Sequence, residues 1–241
     1  MSETILQQGI PYAATTRRAL PSLQVLDPAG WLIFDEAEAG QIARRKTLVA
    51  ERPGDVLAAL PGSEAAQAEA LEMIGAHLGE AHGREVVLGQ MADLAGAIQE
   101  DVVILEPRDG VHVMTAAILC FPASWSLAEK IGRPMASIHA PVAEIDTRMD
   151  RQIERVFAGL RVDRPLWRYN HLWYEDAELF QPRREDDRRT QREKRYLRSE
   201  RQCLVRMPRT GAVMFTIHTY VVDGGTALFA RMGKGAPPTV P

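Results

Sequence analysis

The chain has 241 residues, 46% hydrophobic and 25% charged, with a formal net charge of -3. That length buries a sizeable core in one large domain or two small ones, and the near-neutral balance gives no global electrostatic case for nucleic acid. No apolar run approaches the roughly 20 residues needed to cross a bilayer, so no membrane association is expected. Cys120 and Cys203 lie outside any CxxC pair, which argues against a disulfide framework or a structural zinc site. The opening MSETILQQGIPYAATTRR lacks a basic-then-apolar signal pattern, and with so few cysteines a cytoplasmic location is expected.

The first hundred residues read as helical. In DEAEAGQIARRKTLVAER, Asp35 is placed to cap a helix that stops at Pro53 and Gly54. In PGSEAAQAEALEMIGAHLGEAHG, Ser63 is the expected cap, Ala70, Leu71, Ile74 and Leu78 form one apolar stripe, and Gly79 or Gly83 ends the helix. After residue 100 the period changes to alternation. DVVILEP and VHVMTAAILCF flank Arg108-Asp109-Gly110 and predict a hairpin. DTRMDRQIERVFAGL repeats Met149, Ile153, Val156, Phe157 and Leu160 at helical spacing, with Asp146 as its cap. Three strands follow, PLWRYNHLWYED, RSERQCLVRMP and AVMFTIHTYVV, the last two joined by a tight turn over Pro208-Arg209-Thr210-Gly211. The fold class is therefore α+β: an antiparallel five-stranded, PAS-like sheet with flanking helices and an N-terminal helical region.

Several residues stand out for chemistry. His77 and His82 read as solvent-facing near a helix end, and His112 as unremarkable beside a turn. Neither HExxH nor a glycine-rich phosphate signature is present. His139, in IHAPVAEID, has apolar neighbours and a stiffening Pro141. Burial there favours the neutral imidazole, the form that binds metal, and leaves open a core histidine or a metal ligand. Alternation puts Trp167, Tyr169, His171 and Trp173 on one side of their strand and Arg168, Asn170 and Leu172 on the other. Glu200, Gln202, Leu204 and Arg206 share a side, as do Met214, Thr216, His218 and Tyr220. Such a sheet either lines a polar pocket or has one solvated face. The arginine-dense RREDDRRTQREKRYLRSER is offset by Glu185, Asp186, Asp187, Glu193 and Glu200 and reads as a solvated stretch.

Four stretches together, WLIFDEAEAGQIARRKTLVAERPGDVLAALPGSEAAQAE, CFPASWSLAEKIGRPMASIHAPV, YNHLWYEDAELFQP and LRSERQCLVRMPRTGAVMFTIHTYVV, resemble the haem-dependent oxidative N-demethylase family. The likeness runs from about Trp31 to Val222. It implies residues 1–30 as an N-terminal extension, 31–222 as a single PAS-like haem domain and 223–241 as a tail. The implied activity is a monooxygenase that uses O2 and two electrons to convert a methylated secondary amine, such as dimethylamine, to primary amine, formaldehyde and water. Electrons would come from NADPH through flavin and iron-sulfur partner proteins of reductase or ferredoxin type. The chain lacks a cysteine set for an iron-sulfur cluster of its own. The arginine-rich stretch offers such an acidic partner a docking surface.

Carried onto this sequence, the resemblance makes His139 the axial ligand to haem iron and Glu200 the distal carboxylate. Tyr169 and Tyr220 would be further pocket hydrogen-bonding groups, and Arg206 a partner for a haem propionate or for Glu200. The chain departs from the family's usual pattern at His171, where members carry tryptophan, and at His218, where they carry arginine or lysine. Either histidine is an alternative axial ligand. The competing reading is a non-catalytic haem sensor for O2, NO or CO.

Overall fold

A computed structural model of the chain describes residues 4–16, 22–134, 147–184 and 193–224, with the backbone alone over 147–152. Its strands are β1 (Gln24–Val25), β2 (Leu57–Ala59), β3 (Asp101–Arg108), β4 (Val111–Ile118), β5 (Leu166–Tyr174), β6 (Tyr196–Arg206) and β7 (Val213–Asp223). They form one antiparallel sheet in the order β1-β5-β6-β7-β3-β4-β2. The five expected strands are its long members, and the sheet is seven-stranded because two short strands cover its edges. A segment of two or three residues carries too little alternation to be recognised in sequence. Pairing β1 to β5 and β2 to β4 satisfies edge groups that would otherwise be open to another chain.

The β3–β4 turn has the form its Asp-Gly pair predicts, with Asp109 at φ 50° and Gly110 at φ 81°. The helices are α1 (Glu38–Glu51), α2 (Pro53–Val56), α3 (Glu64–His82), α4 (Leu94–Ala97), α5 (Leu127–Lys130) and α6 (Thr147–Gly159). Gly83, at φ 62°, ends α3. Two caps differ from expectation. The N-cap of α1 is Ala37, and Asp35 Oδ1 accepts the Ala37 amide in a local turn. Ser63 holds the N-cap position of α3, but its hydroxyl donates to Leu60 O at 2.7 Å and accepts from Gln67 Nε2 at 2.9 Å. Asp146, the expected cap of α6, lies outside the described residues.

Register decides what shares a face. Cross-strand partners such as Asn170, Glu200 and Thr219 point the same way, and so do His171, Ser199 and Tyr220. On one face Val102, Ile104, Ile118, Cys203 and Met214 pack against Leu48, Ile74 and Leu78 of α1 and α3. This is the N-terminal face. On the other, Val103, Leu105, Leu204 and Ile217 pack against Phe157 and Leu160 at the end of α6. The apolar stripe read from DTRMDRQIERVFAGL is thus the stripe that meets the sheet. The side chain of Met149 is outside the described residues.

Residues 4–16 are part of the N-terminal layer. Tyr12 stacks on Tyr169 with ring centroids 4.5 Å apart, and Gln7 exchanges hydrogen bonds with the Val221 backbone. The stretch expected as an extension therefore closes over β5 to β7. Among the described residues, no helix is long and apolar enough to cross a membrane.

Candidate functional site

The α6 face carries a polar cluster on its β5–β6 half. Glu200 is 4% exposed, and its carboxylate is fixed by neighbours on the same two strands. Asn170 Nδ2 donates to Oε2 at 2.9 Å and Gln202 Nε2 donates to the same oxygen at 3.0 Å. In return Asn170 Oδ1 accepts the Glu200 amide at 3.1 Å, so the Asn170 side chain clamps both ends of the residue. Arg198 Nη2 lies 3.5 Å from Oε1. Asn170 is the cross-strand partner of Glu200, a relation that exists only once the register is known. Within β6, Gln202 follows at i+2 on the same face, and sequence alternation gave that part.

Arg168 also projects from this face, since it pairs with Gln202 across the strands. Its Nε–H is shielded from solvent and has no acceptor among the described residues. Burial pushes its guanidinium pKa below the usual range, and the nearby Glu200 carboxylate pulls it partly back. Alternation had already placed Arg168 beside Asn170. Nothing in sequence singled it out, because a lone strand arginine is ordinarily solvated.

The other expected site residues go elsewhere. Tyr169 and Tyr220 lie on the N-terminal face, with the sheet between them and Glu200. Tyr169 donates its hydroxyl to Ala13 O at 3.0 Å, and Tyr12 meets Tyr220 edge-on at 5.8 Å. Both tyrosines anchor residues 4–16. Burial, reinforced by Tyr12 and Asp35, pushes the Tyr220 hydroxyl pKa far up.

Arg206 is on the α6 face but is committed to backbone: it donates to Leu160 O at 3.1 Å and to the carbonyls of Phe157 and Gly211. It closes the C-terminal end of α6, where cations are favoured, and it does not reach Glu200. His139 lies outside the described residues. The chain enters that segment from Pro134, which bridges Val113 of β4, and leaves it into α6.

The remaining histidines take unexpected environments. His218 is fully buried on the N-terminal face, with Nε2 3.1 Å from Asp35 Oδ2 and Nδ1 3.1 Å from Glu100 Oε1. Burial opposes its charge, but the two carboxylates outweigh it and lift the pKa to about 9. With both ring nitrogens engaged, His218 has none left for a metal. Burial lowers the pKa of His171, against a weaker opposing bond to the Ala14 backbone.

His112 is 5% exposed, pairs with Glu154 of α6 at 3.0 Å and lies over Phe157 at 5.2 Å. It is a fixed contact between β4 and α6. His77 and His82 are half-buried beside Trp31 and Phe34, with ring centroids 5.1 and 4.9 Å apart respectively. They are not the solvent-facing pair expected, because residues 31–34 cover that end of α3.

Within the arginine-rich stretch, Arg198 and Arg201 belong to β6 and are buried. Arg201 donates to the carbonyls of Trp31 and Gly30 at 3.0 and 2.5 Å. Neither guanidinium is available to a docking partner. Residues 185–192 lie outside the described residues.

Among the described residues no three His, Cys, Asp or Glu side chains gather in a metal-binding group. The described part of the α6 face offers instead one oriented carboxylate and, beside it, Arg168, whose guanidinium makes no hydrogen bond among the described residues, next to an apolar floor. Residues 80–224, which include that face and the segment carrying His139, match the model of a protein family described as haem-dependent oxidative N-demethylase, alpha subunit-like.

Proposed function

Because the chain belongs to the haem-dependent oxidative N-demethylase, alpha subunit-like family, we propose that it is a haem monooxygenase that removes a methyl group from a small secondary amine such as dimethylamine. The observation that carries this reading is Glu200, a buried carboxylate held in place by two amides on the α6 face. The donor set there fits a haem: an oriented polar group for a distal side, a guanidinium lacking an anion, and an apolar floor that includes Leu204 and Ile217. His139 would hold the haem iron, and the segment that carries it runs in sequence between Pro134 and α6. The order of the long strands, β4-β3-β7-β6-β5, supports a PAS-like description of the sheet.

When bound, the haem supplies the oxidising chemistry, in which O2 takes two electrons delivered from outside. The overall conversion joins one amine, one O2, two electrons and two protons into primary amine, formaldehyde and water. The electrons would come from NADPH through flavin and iron-sulfur partners.

The chain's own residues bind and orient. Two amides occupy Glu200 Oε2, while among the described residues Oε1 has the single contact with Arg198 at 3.5 Å, longer than a hydrogen bond to a charged group. Oε1 therefore keeps acceptor capacity for the N–H of an ammonium substrate, and can pass a proton at the same atom. Asn170 holds the carboxylate at the angle this needs, and burial keeps competing water away.

The test begins with the absorption spectrum of protein produced with ample iron. A Soret band is expected, and His139→Ala should abolish or markedly alter it. With a chemical reductant and O2, dimethylamine should release formaldehyde, and Glu200→Gln should lower turnover by 10²-fold or more on the usual scale of a lost acid–base group. A Soret band with no formaldehyde from any small secondary amine, together with tight CO or NO binding, would make the chain a sensor.

A further inference from the structure

The polar half of the α6 face holds more positive charge than its described residues answer. Arg168 and Arg198 stand beside one carboxylate, Glu200. Arg198 has partners for both terminal nitrogens, donating to Leu179 O at 2.8 Å and to Phe121 O and lying 3.5 Å from Glu200, and only its Nε–H has no acceptor among the described residues. Of the two Glu200 oxygens, Oε2 accepts from Asn170 and Gln202 and Oε1 lies 3.5 Å from Arg198. That leaves Arg168 with no hydrogen bond or ion pair among the described residues and with its Nε–H shut away from water. A guanidinium is a rigid planar fork that matches the two oxygens of a carboxylate, and it does not relieve burial by losing its proton. Such a group left unanswered is costly for the folded chain, and a bound anion removes that cost. Arg206, the sequence candidate for this role, spends its donors on the end of α6.

We propose that Arg168 is a carboxylate-binding residue of the α6 face, taking either a propionate of the bound haem or a free carboxylate from solution. The first source rests on the function proposed above; the second does not. Orientation, charge and dryness all favour a carboxylate: the position is one strand across from Gln202, two residues from Asn170, and half-buried.

The experiment uses the full chain as wild type, Arg168→Gln and Arg168→Lys, with circular dichroism confirming an unchanged fold. Each is loaded with haem or with haem dimethyl ester, and cofactor loss to excess apomyoglobin is followed by visible absorbance. If a propionate is the ligand, Arg168→Gln loses haem about tenfold faster than wild type and Arg168→Lys falls between. The dimethyl ester, which lacks the charge, is then lost equally fast from wild type and Arg168→Gln.

In parallel, sodium propionate is titrated into the haem-free wild type while the Arg168 Nε–H resonance is observed by NMR, its assignment coming from its loss in Arg168→Gln. Unchanged haem loss with a saturable shift of that resonance identifies a free carboxylate site. Unchanged haem loss with no saturable shift overturns the proposal. If no variant takes up haem, the monooxygenase reading fails while the titration still decides the role of Arg168.

Discussion

Replacing His218 tests a fully buried charge at the centre of the N-terminal face. Its two ring nitrogens each lie 3.1 Å from a carboxylate oxygen, of Asp35 and Glu100. Carboxylates accept, so both nitrogens donate and the ring is an imidazolium. Burial alone would lower its pKa, yet the carboxylates raise it from 6.5 to about 9. A folded-state pKa above the unfolded one stabilises the protein fully below 6.5, and that contribution is lost as pH rises through about 9. The span amounts to about 3 kcal/mol at pH 6 and about zero by pH 10. On the acid side, Asp35 is half-buried, which opposes its charge, but hydrogen bonds from His218, Gln99 and Gln7 hold its pKa down to about 2. Its share is present above 3.8 and is lost as pH falls toward that lower value, so the clamp is intact across the neutral range.

Urea unfolding followed by tryptophan fluorescence, from pH 6 to pH 10, measures this directly. His218→Leu removes the cation and leaves Asp35 and Glu100 facing one another, at a cost of about 3–5 kcal/mol near neutrality. The gap between wild type and variant should then narrow by about 3 kcal/mol as the wild-type imidazolium deprotonates. His218→Gln, which keeps one donor, gives the same trend if the leucine variant does not fold. A gap constant to within about 0.5 kcal/mol between pH 6 and pH 10 would refute the assignment of a buried imidazolium.

Two further outcomes follow from packing. Phe157 is 3% exposed and joins α6 to the sheet beside His112 and Leu160, so Phe157→Ala should cost about 3–5 kcal/mol in urea or thermal unfolding. A loss under about 1 kcal/mol would mean that α6 is not seated as described. Burial pushes the thiol pKa of Cys120 and of Cys203 up to about 12, and both thiols are buried. Native protein at pH 8 should therefore resist a disulfide thiol reagent and release both thiols only on denaturation. Rapid titration of either thiol in the native state would contradict this.

The sequence reading succeeded where a local rule governs the outcome. Asp109-Gly110 imposes left-handed backbone on a two-residue turn, and Ile153, Val156, Phe157 and Leu160 can share a helix face in only one way. Alternation correctly divided Glu200, Gln202 and Arg206 from Cys203 and Val205 along β6. What it could not supply was which side of β6 matches which side of β5 and β7, because a shift of one residue exchanges all partners. Glu200 could therefore be grouped with Tyr169 and Tyr220, and the register separates them by the thickness of the sheet. Asp35 shows another limit. An aspartate just before a helix is most simply a cap, and its partnership with His218, 183 positions away, leaves no local trace.

The two faces divide the ionisable groups by function. On the N-terminal face two buried charges have opposite charge or backbone acceptors at hand: His218 has Asp35 and Glu100, and Arg201 has the carbonyls of Gly30 and Trp31. These sets hold residues 4–16 and 31–35 against the sheet and occupy both ring nitrogens of His218, although Glu100 Oε2 and Nε and Nη2 of Arg45 have no hydrogen-bond partner among the described residues. On the α6 face the set is open. Glu200 Oε1 keeps acceptor capacity and Arg168 keeps a donor, and the chain does not join the two to each other. An open donor and an open acceptor on one buried surface are stabilised by a ligand that presents both a cationic N–H and a carboxylate, or by two ligands that present one each. An amine substrate and a haem propionate are such a pair, so the same pattern of unmet hydrogen bonds supports both the proposed reaction and the proposed role of Arg168.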